Sequence, residues 1–262
     1  MVKAERIKVA LAQVLPGVDI EALFAQAAAE SADVIVFPEM FSNGYRRYDT
    51  TPSGRAAWID AAESIDGAFV ERFRQAAQRY RIAAVVTLLE RGEEKPFNTA
   101  LLIDRQGQTV LQQRKRHICF FDNPEDACAA GERSDVAELV TAHGSMTVGL
   151  MICMDREFPD VATDLMRAGA EIILVPNSCA LVDDPEIGDV RLAGIRATAY
   201  QTVTCMAVAN YPETKDDGHS VAVDELGKVV GMGTPEAGLV FAEFDLAKVR
   251  ETQKQEWFRR KR

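Results

Sequence analysis

Short, unbroken apolar runs that stop abruptly at a polar residue recur along this chain, and stretches of helical period lie between them. Residues 7–13 (I-K-V-A-L-A-Q), 34–37 and 148–152 are of this kind. Each is too short for a helix of its own, and its branched side chains suit a strand buried on both faces. Asp19 opens an alanine-rich segment whose Ile20, Leu23 and Phe24 share one face, and residues 66–80 place Phe69, Phe73 and Ala76 together. Strands alternating with helices restrict the chain to an α/β fold.

The rest of the chain extends that pattern. Residues 82–89 read as a strand, and 98–103 with 109–113 as a hairpin around D-R-Q-G-Q. A second hairpin pairs 136–140 with 146–152 about His143-Gly144. Strands follow at 172–175, 202–209, 221–223, 229–232 and 239–244, with helices at 189–200 and 246–258. Residues 40–53 and 118–131 have loop composition, the latter turning at Asn123-Pro124. About a dozen strands, with hairpins and crossovers mixed, predict two packed sheets covered by helices.

A length of 262 residues with 47% hydrophobic content supports a substantial core. With no linker and no repeat, residues 1–262 are expected to form a single domain. No apolar run is long enough to span a membrane and no secretory pattern is present, so a cytoplasmic location is expected. Thirty basic against forty acidic side chains give a net charge of −10, which repels polyphosphate and argues against nucleic acid as a partner. The basic end, residues 259–262, reads as a solvated tail. Five cysteines, an odd number without C-x-x-C spacing, do not suggest a disulfide framework. The histidines His117, His143 and His219 stand apart from one another, so no metal signature is present and no cofactor is expected.

Cys153 ends the apolar run 148–152. Beyond it Asp155 reads as a helix N-cap, and Phe158, Val161, Leu165 and Met166 recur at helical spacing up to Gly169. A sulfur on a strand-to-helix turn lies near backbone N–H groups that favour a thiolate and can bind a developing oxyanion. The plainer reading of such a cysteine is a buried structural thiol. Glu39 likewise ends a strand, where an isolated glutamate is ordinarily a surface acid beginning a loop. The cluster Arg114-Lys115-Arg116-His117 is either a strand end kept polar or a set with one member pointing into a cleft.

Three stretches now share a form: F-P-E at 37–39, R-K-R-H at 114–117 and I-C-M-D-R-E-F-P at 152–159. With P-F-N-T-A, M-R-A-G-A-E-I-I-L-V-P-N, A-N-Y-P and G-H-S-V-A-V-D-E-L-G around them, they resemble the nitrilase superfamily, the carbon–nitrogen hydrolases, over nearly the whole chain. The resemblance implies a four-layer α-β-β-α sandwich of two mixed sheets that pairs as a homodimer or larger homo-oligomer. It makes Glu39 the general base, Lys115 the oxyanion-stabilising cation and Cys153 the nucleophile, with the backbone N–H of Met154 as a second oxyanion donor. A second acid is expected on the loop after the lysine, and Glu125 is chosen over its neighbour Asp126. Arg156 sits where similar N-carbamoyl amino acid hydrolases hold a substrate carboxylate; its alternative is an ion pair with Glu157 or Asp160. Asn98, Asn177 and Asn210 tie strand ends together, or Asn177 lines the pocket as a substrate-binding residue. His117 is expected to pack, Cys179 and Cys205 to be inert core thiols, and Cys119 and Cys128 to have no assigned task.

The function implied is hydrolysis of a non-peptide carbon–nitrogen bond in a small linear amide or N-carbamoyl compound, through a cysteine thioester and without metal or cofactor. Nitrile hydrolysis would use the same three residues. Two readings from other classes stand beside it: a papain-like thiol hydrolase pairing Cys153 with His117, His143 or His219, and a non-catalytic scaffold.

Overall fold

The computed structural model describes residues 5–255. One sheet is built from β1 (Arg6–Gln13), β2 (Val34–Val36), β3 (Ala83–Glu90), β4 (Phe97–Ile103), β5 (Thr109–Arg114) and β12 (Gly238–Asp245). Its order is β12-β1-β2-β3-β4-β5. The other contains β6 (Val136–Thr141), β7 (Gly144–Leu150), β8 (Ile172–Pro176), β9 (Cys205–Ala209), β10 (Val221–Val223) and β11 (Val229–Met232), in the order β11-β10-β9-β8-β7-β6. Each sheet has a parallel centre, β1-β2-β3 in one and β7-β8-β9 in the other, flanked by antiparallel strands.

The period-2 alternation of these strands explains the layering. Val9 and Leu11 of β1 face a core shared by both sheets, where they join Val148 and Leu150 of β7 and Ile172 and Leu174 of β8. Ala10 and Ala12 face the opposite way, onto Phe24 of α1 (Ile20–Ala29) and Phe73 of α3 (Ala68–Tyr80). On the far side Ile173 and Val175 meet Leu165 of α4 (Pro159–Arg167) and Ile195 of α5 (Gly188–Thr202). Strands covered on both faces have no polar alternation, which is why they read as continuous apolar runs. A wholly buried ring such as Phe24 anchors its helix; truncating it to alanine costs about 3–5 kcal/mol.

The four-layer sandwich of two mixed sheets is thus as the sequence implies, and the differences are local. A helix, α2 (Pro52–Asp60), occupies a stretch with no periodic apolar signal; none of its residues is buried. Its start is fixed instead by Thr51, whose hydroxyl accepts the Gly54 N–H at 3.1 Å, and by Pro52 in the first turn. Helix α5 runs through Thr202 and stops at Val203, whose left-handed backbone (φ 49°) ends it, so the following strand begins at Cys205 and not at 202. Asp155 does not cap α4: residues Cys153–Glu157 form a 3-10 turn, and Phe158 precedes the first residue of α4, Pro159. The last helix, α6 (Leu246–Gln255), is described to Gln255; its predicted end at Phe258 and the basic residues 259–262 lie outside the described residues.

Candidate active site

Glu39, Lys115 and Cys153 each follow the end of a strand, β2, β5 and β7 respectively, and backbone hydrogen bonds fix where those ends lie. The Glu39 N–H donates to the Asn177 carbonyl at 3.2 Å, joining the exit of β2 to the exit of β8 across the two sheets. Its own carbonyl accepts the buried Tyr211 hydroxyl at 2.9 Å. The Lys115 N–H donates to Asn98 O at 2.8 Å, and Lys115 O accepts the Gly131 N–H at 2.7 Å. Gly131 is required there, because a Cβ at that position would lie 2.4 Å from the Arg114 carbonyl oxygen.

Lys115 is completely buried between two carboxylates. Its Nζ donates to Glu39 Oε1 at 2.7 Å and to Glu125 Oε1 and Oε2 at 2.9 and 2.8 Å. Asn98 bridges the same pair, donating from Nδ2 to Glu39 Oε1 at 2.7 Å and also to Glu125 Oε1. Burial alone would pull the Lys115 pKa down; Glu39 and Glu125 outweigh it and hold the ammonium well above its ordinary range. Glu125 is ionised in turn: burial opposes this, but Lys115 and the Cys119 N–H at 2.7 Å hold its carboxyl below the ordinary value. Glu39 goes the other way. Burial, with the nearby Cys153 and Glu125, raises it well above 4.5 despite Lys115. Its second oxygen, Oε2, is buried and has no hydrogen-bond partner among the described residues.

Cys153 is tied to the same centre through residues 177 and 178: its thiol faces the Ser178 carbonyl, and the Asn177 carbonyl before it accepts the Glu39 N–H. The Cys153 backbone is left-handed (φ 42°), a strained state for a residue with a side chain. The hydrogen bond of its thiol to Cys179 and its burial raise its pKa well above the ordinary value, with Lys115 drawing it back. Its Sγ lies 3.7 Å from Ser178 O. Asp155 holds the turn: Oδ2 accepts the Ile152 N–H at 3.1 Å, while Oδ1 accepts those of Arg116 at 3.1 Å and His117 at 2.8 Å.

Of the remaining residues singled out, Glu125 joins the centre, whereas Asp126 is exposed and bonded to the Tyr48 hydroxyl at 2.6 Å. Arg156 forms the ion pair with Glu157 at 2.5 Å, and its other donors meet Asn177 Oδ1 at 3.1 Å and Cys179 Sγ at 3.2 Å. Asn177 also donates to Asn210 Oδ1 at 3.0 Å and Cys179 Sγ at 3.3 Å. The side chain of Met154, half-buried, touches Cys119 Sγ through its own sulfur at 3.2 Å. The histidines are engaged elsewhere: His117 with Asp160 and stacked on Phe158, His143 with Asp33, His219 with Asp183. Three residues at this centre were not read from the sequence as part of it. The sequence marks Asn98 as a strand tie and Cys179 as an inert core thiol. Tyr45, half-buried in the loop after Glu39, was not singled out at all; burial, Glu39, Glu125 and Cys153 all push its phenol upward, so it stays protonated. Its one signal is an aromatic residue soon after a strand-end glutamate.

The family model for carbon–nitrogen hydrolases matches residues 12–254. A curated relative, the "Hydrolase in pqqF 5'region" of Pseudomonas protegens, is 38% identical over 184 residues, which are 70% of this chain and 60% of that protein. The 2-oxoglutaramate amidase of Bacillus subtilis is 26% identical over 234 residues, covering 87% of this chain and 85% of the relative. Among solved structures, a glutamate-to-glutamine mutant of the amidase from Nesterenkonia sp. AN1 superposes with a TM-score of 0.72 at 25% identity, over 97% of each chain. That structure is described as showing covalent addition of the acetamide moiety of fluoroacetamide at the active site cysteine.

Proposed function

The chain belongs to the carbon–nitrogen hydrolase family, and from that premise we propose that it cleaves a non-peptide carbon–nitrogen bond of a small linear amide or N-carbamoyl compound through a thioester on Cys153. The observation that carries this reading is the wholly buried Lys115 ammonium held at 2.7 Å from Glu39 and 2.8 Å from Glu125 at a centre that includes Cys153. The two carboxylates offset the cost of desolvating that ammonium, and a buried, fixed cation is a group suited to stabilising a developing oxyanion.

In this reading the Cys153 proton passes to Glu39, whose raised proton affinity suits a group that must both take and return a proton. Oε2, the oxygen without a hydrogen-bond partner among the described residues, is the one free to receive it. Sulfur then attacks the amide carbon, and the charge that develops on oxygen is stabilised by Lys115 Nζ and the Met154 N–H; removing one such donor typically costs about 3 kcal/mol in the barrier. The carbon–nitrogen bond breaks as Glu39 protonates the departing ammonia or amine. Water, deprotonated by the same carboxylate, attacks the thioester and releases the acid and the Cys153 thiol. Glu125 and Asn98 act through Lys115, keeping it charged and aimed.

What is printed of relatives supports the class: an amidase of 2-oxoglutaramate is among them, and a related amidase carries a covalent acetamide adduct on its cysteine. In this reading residues 1–262 act as one unit, in the cytoplasm and as a homodimer or larger homo-oligomer. Among the described residues no helix is long and apolar enough to cross a membrane. The papain-like alternative loses its support, since Cys179, Lys115 and Arg156 act on Cys153 while each histidine is bonded to an aspartate elsewhere. A screen of amides, N-carbamoyl amino acids and nitriles, read by ammonia release, tests the proposal. Turnover of an amide or carbamoyl compound that vanishes in Cys153→Ala is expected; turnover that survives in Cys153→Ala contradicts it.

A further inference from the structure

The chemistry above leaves Cys179 without a task, yet its sulfur is unusually well provided with donors. Arg156 Nη2 lies 3.2 Å from it and Asn177 Nδ2 3.3 Å. The Ser178 carbonyl, joined directly to the Cys179 nitrogen, lies 3.7 Å from Cys153 Sγ, so the Cys153 sulfur sits against the backbone that carries Cys179. Donors converging on a sulfur favour its thiolate, and a nearby guanidinium adds its charge to the effect. The Cys179 pKa is accordingly brought down to about 7, chiefly by the hydrogen bond from Cys153, with burial opposing and Arg156 assisting. The other half-buried or buried thiols lack this setting. Those of Cys119, Cys128 and Cys205 are all raised, by burial first.

We infer that Cys179 and Cys153 form an oxidative modification site, in which a peroxide oxidises Cys179 and Cys153 closes a disulfide upon it. The Cys179 thiolate attacks one peroxide oxygen, the O–O bond breaks, and the hydroxide released takes a proton to become water. The product is a Cys179 sulfenic acid. Cys153 sulfur then attacks the Cys179 sulfur and the S–O bond breaks. The hydroxyl departs as a second water with the Cys153 proton. Two thiols have lost two electrons and hydrogen peroxide has gained them. The disulfide withdraws Cys153 from acylation and shields it from the irreversible sulfinic state, and a dithiol reductant restores both thiols. Only the loss of activity rests on the hydrolase reading; the cross-link itself does not.

The test treats the full chain with a small excess of hydrogen peroxide, alkylates the remaining thiols with iodoacetamide and digests without reductant. A peptide pair joining Cys153 to Cys179, lighter by two hydrogens than its separate members and lost on reduction with dithiothreitol, is the expected result. In Cys179→Ser the same treatment should form no cross-link and leave Cys153 a thiol that iodoacetamide still alkylates; loss of free Cys153 at an unchanged rate in that variant overturns the inference. Oxidised protein in which Cys179 is still alkylated, or in which Cys153 is joined to Cys119, overturns the inference. The two proposals fail separately. A chain that forms the cross-link but is acylated by no amide ends the hydrolase reading alone, and one acylated at Cys153 that never cross-links ends this one.

Discussion

The carboxylate of Asp155 accepts the backbone N–H of His117 at 2.8 Å, a contact between residues 38 apart in sequence that clamps the strand end bearing Lys115 to the turn bearing Cys153. The same side chain also binds the N–H groups of Arg116 and Ile152. Hydrogen bonds to a charged group contribute about 1.5–3 kcal/mol each, and buried N–H groups left without an acceptor are penalised. Asp155→Ala is therefore expected to lower stability by about 3 kcal/mol and turnover by at least about tenfold, read by chemical denaturation and initial rates. An unchanged rate in a folded variant would separate the clamp from the chemistry.

Lys115→Met removes the cation from between two buried carboxylates. Breaking a buried pair by deleting one partner costs about 3–5 kcal/mol, and here Glu39 and Glu125 would then face each other. Loss of turnover below detection is expected together with this destabilisation. The double change Lys115→Met with Glu125→Gln should recover part of the stability and none of the activity, which thermal unfolding and rate measurements on the pair would show.

Glu125 and Asp126 stand side by side and differ in what they touch. Glu125→Gln keeps the shape but removes the charge that holds Lys115, so kcat should fall by about 10² or more. Asp126→Asn alters an exposed contact with Tyr48, and its effect on stability should stay within about 0.5 kcal/mol. Equal rate losses in the two variants would remove Glu125 from the centre.

The pH dependence follows from Glu39. Burial first, and the neighbouring Cys153 and Glu125, raise its carboxyl well above the ordinary 4.5 against the pull of Lys115. A base must be unprotonated to act, so kcat/KM should climb with pH along an acid limb lying well above 4.5. The effect on stability has the opposite sense. A raised folded pKa contributes stability that is fully present below 4.5 and is lost as pH rises through the folded pKa. Glu125, held low, contributes stability above 4.5 that is lost as pH falls through its folded pKa. Glu39→Gln should abolish the rate and flatten the first of these stability slopes, measured by denaturation at a series of pH values.

Where a residue ends an apolar run, the chain discloses its place; for Glu39, Lys115 and Cys153 that position alone admits plainer structural readings, and it is the resemblance to the carbon–nitrogen hydrolases that implies their roles. The layers were equally legible, because strands covered on both faces carry no polar alternation. What could not be read were contacts made across the sandwich. Asp155 has the identity and position of a helix cap, and only the folded chain shows its oxygens turned back to residues 116, 117 and 152. Cys179 follows an apolar strand like any core thiol; the arginine that reaches its sulfur comes from 23 residues away. Helix α2 buries none of its residues, so it leaves no periodic trace. Tyr45 lies in a loop without repeat, where pattern is silent about direction.

The central claim, that Cys153 is acylated by an amide carbon, is tested most directly by mass spectrometry of the chain incubated with a small amide that it turns over. The account predicts an acyl increment on the peptide containing Cys153, absent in Cys153→Ala and discharged over time in the unmodified chain. Product formation with no acyl group on Cys153, or with the acyl group on Cys119 or Cys179 instead, would contradict it.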